Sequence, residues 1–204
     1  EDGRQAGGRQ EIGEMPKKTQ AGLPKGCSRP RVRRNRKTMS RLQRIAVYPG
    51  TFDPITLGHL DVLRRASRLF DKVIVAVAAS DSKNPWFDVE ERLSMARQAC
   101  KGIRNVKVLE LDGLTVEFAH KHKAAAIIRG LRKFSDFEFE FDLAHANRLM
   151  APEIETVILM PSQDQFVTSS SFVKDIARHK LSQAAAFVPR CVLPLLRQRL
   201  AEKA

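Results

Sequence analysis

Apolar residues fall into short continuous runs that alternate with longer amphipathic stretches from about residue 44 onward. The apolar runs predict strands at residues 45–48, 73–79, 106–111, 124–128 and 156–160. Helical spacing of apolar residues predicts helices near 60–70, 88–101, 115–122, 136–149, 170–179 and 189–202. Because buried strands alternate with amphipathic helices, we predict an α/β fold, a doubly wound parallel sheet of five strands with helices on both faces.

The first strand-to-helix connection carries the densest set of candidate chemical groups. Residues 48–59 read YPGTFDPITLGH and lie where backbone N–H groups and the helix dipole favour an anion. Gly50 and Gly58 can let the backbone approach a ligand or take a positive φ. His59 falls in the first helical turn, where it can donate a hydrogen bond to phosphate and, when protonated, adds charge. The alternative is a simple turn with His59 as a solvated or capping side chain.

These residues resemble a known signature. Thr56, Gly58 and His59 stand in the T/HxGH positions of the nucleotidyltransferase superfamily, which has a Rossmann-like fold. The longer string PGTFDPITLGH resembles bacterial phosphopantetheine adenylyltransferases, and the similarity runs from about residue 44 to about residue 200. The resemblance implies adenylyl transfer from ATP, with Mg²⁺ bound to the ATP, to 4'-phosphopantetheine, giving dephospho-coenzyme A and pyrophosphate. It also implies a homohexamer and feedback inhibition by coenzyme A.

A lysine follows the second predicted strand in the sequence SDSKNP, residues 80–85. A lysine just beyond a strand's carboxyl end can neutralise a phosphate as a compact charge. A solvated loop lysine is the alternative. The family's SxSKxP motif implies that Lys83 contacts the substrate phosphate.

Two arginines flank a glycine in IIRGLR, residues 127–132, at the end of the fourth predicted strand. Arg129 and Arg132 can present separate guanidinium groups to phosphate oxygens. The alternative is pairing with an acidic run on the following helix, which consists of Asp136, Glu138, Glu140 and Asp142. The resemblance assigns Arg129 to the phosphopantetheine phosphate and Arg132 to ATP. It also places Glu140 at the adenosine part of ATP, next to Phe139 where the family usually has tyrosine.

A run of hydroxyl residues, Thr168–Ser171, precedes the predicted helix near 170–179. These hydroxyls can cap the helix, and they also offer donors to phosphate or to departing pyrophosphate beside the positive end of the helix. The run resembles the superfamily's ISSS motif, with Thr168 in the isoleucine position. Gln165 replaces a tryptophan common in the family, so packing of adenine there is not implied.

The resemblance therefore implies a complete set of site residues. Catalytic roles go to His59, Lys83 and Arg132, with His59 as the stabiliser of the transition state. The predicted ATP-binding residues are Thr51, Phe52, His59, Gly130, Leu131, Arg132, Glu140, Gln165, Phe166, Val167, Thr168, Ser169, Ser170 and Ser171. The predicted acceptor-binding residues are Thr51, Lys83, Thr115 and Arg129. No protein residue is predicted to bind a metal.

Composition divides the 204 residues into two parts. Residues 1–38 hold 11 Lys/Arg and 4 Asp/Glu, a net charge of +7 out of +13, and contain few large apolar residues. We predict a disordered basic leader over 1–38 and a nucleotidyltransferase domain over 39–204, with Met39 as a natural start. The basic leader could bind nucleic acid, but no aromatic residue interleaves with its charges, which favours an inert tail or a translation-start artefact.

Other sequence features exclude several classes of protein. The chain contains no apolar stretch of about 20 residues and no recognisable secretion leader, so we expect a soluble, cytoplasmic protein without membrane partners. Cys27, Cys100 and Cys191 are too far apart for a Cys-x-x-Cys metal motif. The rival functions are another nucleotidyltransferase, such as a nicotinate mononucleotide adenylyltransferase or a cytidylyltransferase, and a noncatalytic protein that binds nucleotides or nucleic acids.

Overall fold

The computed structural model describes residues 43–79 and 85–202. The predicted leader at 1–38, its boundary with the domain and Lys83 all lie outside these ranges. They therefore stay predictions.

Within the described ranges, a single parallel sheet contains five strands. The strands are β1 (Ile45–Gly50), β2 (Lys72–Ala78), β3 (Val106–Leu111), β4 (Ala126–Gly130) and β5 (Glu155–Leu159). Their order is β3-β2-β1-β4-β5, and each neighbouring pair is parallel. The chain builds outward from β1 to β3 and then crosses back to place β4 on the other side of β1. This reversal opens a crevice at the carboxyl ends of β1 and β4, where ligands bind in folds of this type.

Helices follow the strands as the apolar spacing predicts. They are α1 (Leu57–Leu69), α2 (Val89–Ala99), α3 (Thr115–Lys121), α4 (Phe134–Met150), α5 (Ser170–His179), α6 (Leu181–Ala184) and α7 (Leu193–Glu202). Short 3₁₀ turns occupy Gln163–Gln165 and Arg190–Val192. The one-turn helix α6 was not predicted, because four residues are too few to show a helical period. None of the helices in the described ranges has the length and apolar character needed to cross a membrane.

Alternate residues of the strands enter two separate cores. On β1, Ala46 and Tyr48 belong to one core, while Val47 belongs to the other, which also contains Val116 and Phe118 of α3. Side chains of a strand alternate between its faces, so both faces of the sheet are covered. This arrangement confirms the doubly wound α/β prediction.

The fourth strand differs from the prediction in a way that affects the site. It spans Ala126–Gly130 rather than 124–128, so Arg129 and Gly130 are its last two residues and not part of the loop. The backbone of these residues pairs with Ile158 and Leu159 of β5. Regular backbone pairing therefore fixes the position from which the Arg129 side chain extends.

Candidate active site

The β1–α1 connection makes His59 part of the cap of α1. Thr56 is the N-cap residue, and its Oγ1 accepts a hydrogen bond from the His59 amide at 3.3 Å. In return, the Thr56 amide donates to Nδ1 of His59 at 3.1 Å. Because Nδ1 accepts this bond, the proton of a neutral imidazole lies on Nε2. His59 thus has the capping role considered from the sequence, and its other ring nitrogen stays available as a donor.

The environment of His59 favours the neutral imidazole. Burial, with a smaller contribution from the positive charge of Arg132, lowers the pKa of His59 to about 4. The imidazole ring also packs edge-on against Phe52, with 5.0 Å between the ring centroids. Near pH 7 His59 is therefore an oriented hydrogen-bond donor, and the added charge considered from the sequence is absent.

The two glycines of this loop are required by contacts within the protein. A Cβ added to Gly58 would lie 2.9 Å from the carbonyl oxygen of Thr168, and one added to Gly50 would lie 3.0 Å from the Phe52 ring. The positive φ of the loop, 49°, belongs to Phe52. The expectation of a positive φ at these glycines is therefore wrong, while both glycines line the cleft, so close approach of a ligand to their backbone stays a prediction.

Asp53 connects three segments around the loop. Its carboxylate is buried and accepts hydrogen bonds from the amides of Trp86 and Phe87 at 3.1 Å and 3.0 Å. It also forms an ion pair with Lys174 of α5, with 2.7 Å between Oδ2 and Nζ. This single carboxylate ties the β1–α1 loop to the start of α2 and to α5.

Arg129 and Arg132 both pair with acids of α4. Arg129 donates from Nε and Nη2 to the two carboxylate oxygens of Glu140 at 2.6 Å and 2.7 Å. Arg132 Nε lies 3.4 Å from Oδ2 of Asp136. The structure thus contains the acidic pairing that the sequence offered as an alternative to phosphate binding. The bidentate pair leaves Nη1 of Arg129 outside the contact with Glu140.

The β1 residue Tyr48 lines the same crevice. Its side chain is buried, and burial raises the pKa of the phenol despite the opposing charge of Arg129. The hydroxyl therefore keeps its proton at neutral pH. It lies 3.8 Å from the position that a Cβ on Gly130 would occupy.

The hydroxyl residues before α5 divide their roles. Ser169 is the N-cap and accepts a hydrogen bond from the amide of Phe172 at 3.1 Å. Ser170 Oγ donates to the carbonyl oxygen of Pro54 at 2.9 Å, which joins α5 to the β1–α1 loop. Capping accounts for Ser169 alone. Ser171, one residue further, also lines the crevice.

These elements enclose a cleft of about 590 Å³. The predicted site residues that line it are Thr51, Phe52, His59, Thr115, Arg129, Gly130, Arg132, Glu140, Gln165, Thr168, Ser169, Ser170 and Ser171. Leu131, Phe166 and Val167, also predicted for ATP, are not among the lining residues, and the side chains of Phe166 and Val167 are about half exposed. One cleft thus contains most of the predicted set.

Several further lining residues have no site role predicted from the sequence, among them Tyr48, Val62, Leu143 and Lys174. Tyr48 could have been found, because it is the last inward-facing side chain before the glycine that ends β1. Lys174 lies one helical turn after Ser170, so helical spacing also indicates it. Val62 and Leu143 are ordinary apolar positions of helices, and their sequence pattern does not distinguish them from core residues.

The acids of this cleft are already paired with cations. Asp53 binds Lys174 and Glu140 binds Arg129. Across residues 43–79 and 85–202, no group of three or more His, Cys, Asp or Glu side chains is arranged to hold a metal ion.

Known proteins share this fold. A candidate nicotinate-nucleotide adenylyltransferase from Vibrio parahaemolyticus superposes with a TM-score of 0.59 at 18% identity, covering 80% of this chain and 98% of that one. Nicotinic acid mononucleotide adenylyltransferase from Plasmodium falciparum in complex with NaAD gives 0.58 at 14% identity, covering 76% and 95%. The same Plasmodium protein with APC gives 0.53 at 14% identity, covering 76% and 95%. At these identities the likeness shows the fold.

The family follows from the sequence itself. Residues 47–176 match the sequence model described as cytidylyltransferase-like, and this match spans β1 through most of α5. It includes His59, both arginines of IRGLR and the serine run. The chain belongs to the cytidylyltransferase-like family of the nucleotidyltransferase superfamily.

Proposed function

We propose that the protein transfers the adenylyl group of ATP to 4'-phosphopantetheine, giving dephospho-coenzyme A and pyrophosphate. The main support is that the amino ends of α1 and α5 and the guanidinium groups of Arg129 and Arg132 all border one cleft. Helix amino ends and arginines both favour anions. A cleft with this many anion-binding groups suits two phosphate compounds bound side by side.

The choice of acceptor comes from the sequence motifs. The string PGTFDPITLGH, the segment SDSKNP, the segment IRGLR and the serine run together resemble phosphopantetheine adenylyltransferases. In the proposed reaction an oxygen of the acceptor phosphate forms a bond to the α-phosphorus of ATP. The bond from that phosphorus to the bridging oxygen breaks, and pyrophosphate leaves with the electron pair. The acceptor phosphate is itself the nucleophile, so no covalent intermediate with the protein is needed.

The side chains have the following proposed roles. Nε2–H of His59 donates to an α-phosphate oxygen, where charge increases in the transition state. Arg132 and the serine run bind the other phosphates of ATP. Thr51, Lys83 and Arg129 orient the acceptor phosphate, and Thr115 lines its side of the cleft.

The ion pair between Arg129 and Glu140 is compatible with these roles. Its geometry engages Nε and Nη2 and leaves the N–H groups of Nη1 for a phosphate. The carboxylate holds the guanidinium plane in one orientation before a ligand binds. Glu140 is proposed to contact the adenosine part of ATP with its remaining acceptor capacity, which would bring both substrates to one ion pair.

Magnesium fits this cleft as a partner of the triphosphate. Among the described residues, the acids that line the cleft are Asp53 and Glu140, and both are paired with cations. Bound to ATP, the ion neutralises phosphate charge and fixes the conformation of the triphosphate.

We also propose the homohexamer and the feedback by coenzyme A that the family resemblance implies. An exposed apolar stripe on α4 is suited to self-association. It consists of Phe134, Phe137, Phe141 and Leu149, which are 93%, 41%, 45% and 87% exposed. In this α4 stripe the rings of Phe134 and Phe137 stack with centroids 6.1 Å apart, and the ring of Phe141 lies tilted against Phe137 at 5.6 Å. Apolar side chains clustered in this way favour a protein partner.

Adenylyl transfer to nicotinate mononucleotide is the second candidate, since the Vibrio and Plasmodium relatives carry that name. The deciding experiment measures pyrophosphate release by the purified chain with ATP and Mg²⁺, using 4'-phosphopantetheine, nicotinate mononucleotide or no acceptor. We expect release with phosphopantetheine only. Release with nicotinate mononucleotide alone would establish the second candidate, and ATP binding without release would favour a noncatalytic protein.

The same assay tests the basic leader. A chain that lacks residues 1–38 should keep full turnover if the domain at 39–204 is the enzyme. Loss of turnover after this deletion would contradict the prediction of an inert leader. A nucleic-acid-binding measurement on both chains would then show whether the leader has that separate role.

A further inference from the structure

Arg92 of α2 is a buried cation that the proposed reaction does not use. It is 2% exposed and is the largest of the fully buried side chains in the described ranges. The nine ion pairs of the described residues do not include it. A charged group is costly to bury without such a partner, so its retention needs another explanation.

Among the described residues, the hydrogen-bond partners of Arg92 are four backbone carbonyl oxygens. Nη1 donates to Thr51 at 2.8 Å and to Ala78 at 2.6 Å. Nε donates to Phe87 at 3.1 Å and to Asp88 at 3.2 Å. These carbonyls belong to three separate segments of the chain, and each segment borders the cleft or leads into it.

The Thr51 and Ala78 carbonyls mark the place where two strands separate. The last register pair between β1 and β2 is Gly50 with Val77, so Thr51 and Ala78 are the next residues of each strand. Both of their carbonyls turn to the same guanidinium nitrogen. Arg92 therefore continues the hydrogen bonding of the sheet one step past its end and fixes how far these strands diverge.

Asp53 binds the same Phe87 segment as Arg92. It accepts the amide of Phe87, while Arg92 holds the carbonyl of Phe87. Together with Lys174, these groups place two cations and one carboxylate behind the β1–α1 loop. Among these three residues the positive charges exceed the negative by one, and they lie next to a cleft suited to polyanions.

We propose that Arg92 is a positioning residue for nucleotidyl transfer, holding the Thr51 segment and the carboxyl end of β2 at the separation that the two phosphate compounds require. This inference rests on the proposed function for its catalytic readout. Arg92 does not line the cleft, so it acts through Thr51 and Ala78, which do.

The test compares Arg92→Lys and Arg92→Met with matched variants of Arg199. Arg199 is a partly buried arginine next to α2, where it pairs with Glu91 at 2.6 Å and lies over the Phe87 ring, but it does not line the cleft. Thermal melting followed by circular dichroism gives the folded fraction of each variant. Pyrophosphate release at a temperature well below melting then gives kcat and KM per folded molecule for both substrates.

If Arg92 is a positioning residue, kcat/KM should fall further the fewer carbonyls the substituted side chain can hold. Arg92→Met should lose about 10²-fold, since displacement of reacting groups by about 1 Å has such an effect. Arg92→Lys, which keeps the charge and some of the bonds, should lie between Arg92→Met and the wild type. Arg199→Lys and Arg199→Met should keep kcat/KM within about twofold even where they lower the melting temperature.

Equal kcat/KM per folded molecule in the wild type and Arg92→Lys would overturn the inference and leave Arg92 a stabilising residue only. If Arg92→Met does not fold, the comparison of Arg92→Lys with Arg199→Lys still decides whether Arg92 is a positioning residue. If the wild type releases no pyrophosphate with any acceptor, the proposed function fails instead. Calorimetry with ATP then tests Arg92 separately, with weaker binding by Arg92→Lys expected and unchanged binding by Arg199→Lys.

Discussion

Two helices that border the cleft, α1 and α4, differ in whether their apolar residues are buried or exposed. Helix α1 buries Leu60, Val62, Leu63 and Ala66 against the sheet. Helix α4 buries only Glu140 and Asn147, and its phenylalanines face outward. The α1 pattern is explained by the fold of one chain. In α4 the buried acid Glu140 pairs with Arg129 of the cleft, and the exposed phenylalanines form the surface proposed for self-association.

This difference separates two kinds of functional residue. His59 of α1 uses a group that the helix needs anyway, since its Nδ1 completes the cap and its Nε2 is the proposed donor to a ligand. Glu140 of α4 is a carboxylate at a buried position, where an unpaired charge would be costly. Its burial is a cost that the pairing with Arg129 offsets.

The largest effect is expected from His59→Ala on α1. Loss of the Nε2 donor should lower turnover by about 10²-fold or more if the imidazole stabilises charge at the α-phosphate. Pyrophosphate release with saturating ATP and phosphopantetheine measures it. The ATP affinity should change much less, because the donor acts mainly in the transition state.

The control for His59→Ala is His122→Ala at the end of α3, which does not line the cleft. This variant should keep wild-type turnover. Near-full turnover of His59→Ala would remove the imidazole from catalysis and leave it only the capping role. In that case the His59 of α1 would have no catalytic role.

Glu140→Ala on α4 should have the next largest effect. Removing the carboxylate leaves a mostly buried guanidinium with fewer partners, which should lower the free energy of unfolding by about 2 kcal/mol. A phosphate ligand that pairs with Arg129 should restore part of this loss. Glu138→Ala, an exposed acid two residues earlier, is the matched control and should change stability by less than about 0.5 kcal/mol.

Urea unfolding with and without phosphopantetheine measures both Glu140 effects. Equal losses for Glu140→Ala and Glu138→Ala would contradict the account of α4 as a helix with a functional buried acid. A loss that phosphopantetheine does not reduce would argue against Arg129 as a ligand of its phosphate.

The same two helices show what the sequence could and could not predict. For α1, apolar spacing predicts the helix and its buried face, and the family signature identifies His59. For α4, the alternation of acids and phenylalanines predicts a helix near 136–149 only with help from the residues after it. Which acid of α4 is buried depends on where the Arg129 side chain points. That direction depends on where β4 ends, and the predicted end of β4 lies two residues before the observed one.

The pH dependence of stability should report the burial of the His59 imidazole. Its pKa is lowered from 6.5 to about 4 in the folded chain, so between these values the unfolded chain binds a proton that the folded chain does not. The free energy of unfolding should therefore fall as the pH drops from about 6.5 to about 4. Above pH 6.5 the stability that depends on the neutral His59 should be fully present. In His59→Gln this part of the pH dependence should disappear, and an unchanged profile would contradict the proposed burial of a neutral imidazole.

The smallest effect on the stability of the folded monomer should come from a substitution in the α4 stripe. Comparing it with a substitution in the buried face of α1 tests the difference between the two helices directly. Phe134 is 93% exposed, so Phe134→Ala should change the unfolding free energy of the monomer by less than about 0.5 kcal/mol. Leu63→Ala on α1, at a position 1% exposed, should cost about 2–5 kcal/mol at any protein concentration. If the stripe is covered by another copy of the chain, Phe134→Ala should become destabilising as the protein concentration rises, because assembly stabilises the fold by mass action. Sedimentation of both variants over the same concentrations tests this, and a Phe134→Ala protein that assembles like the wild type would remove the stripe from the interface.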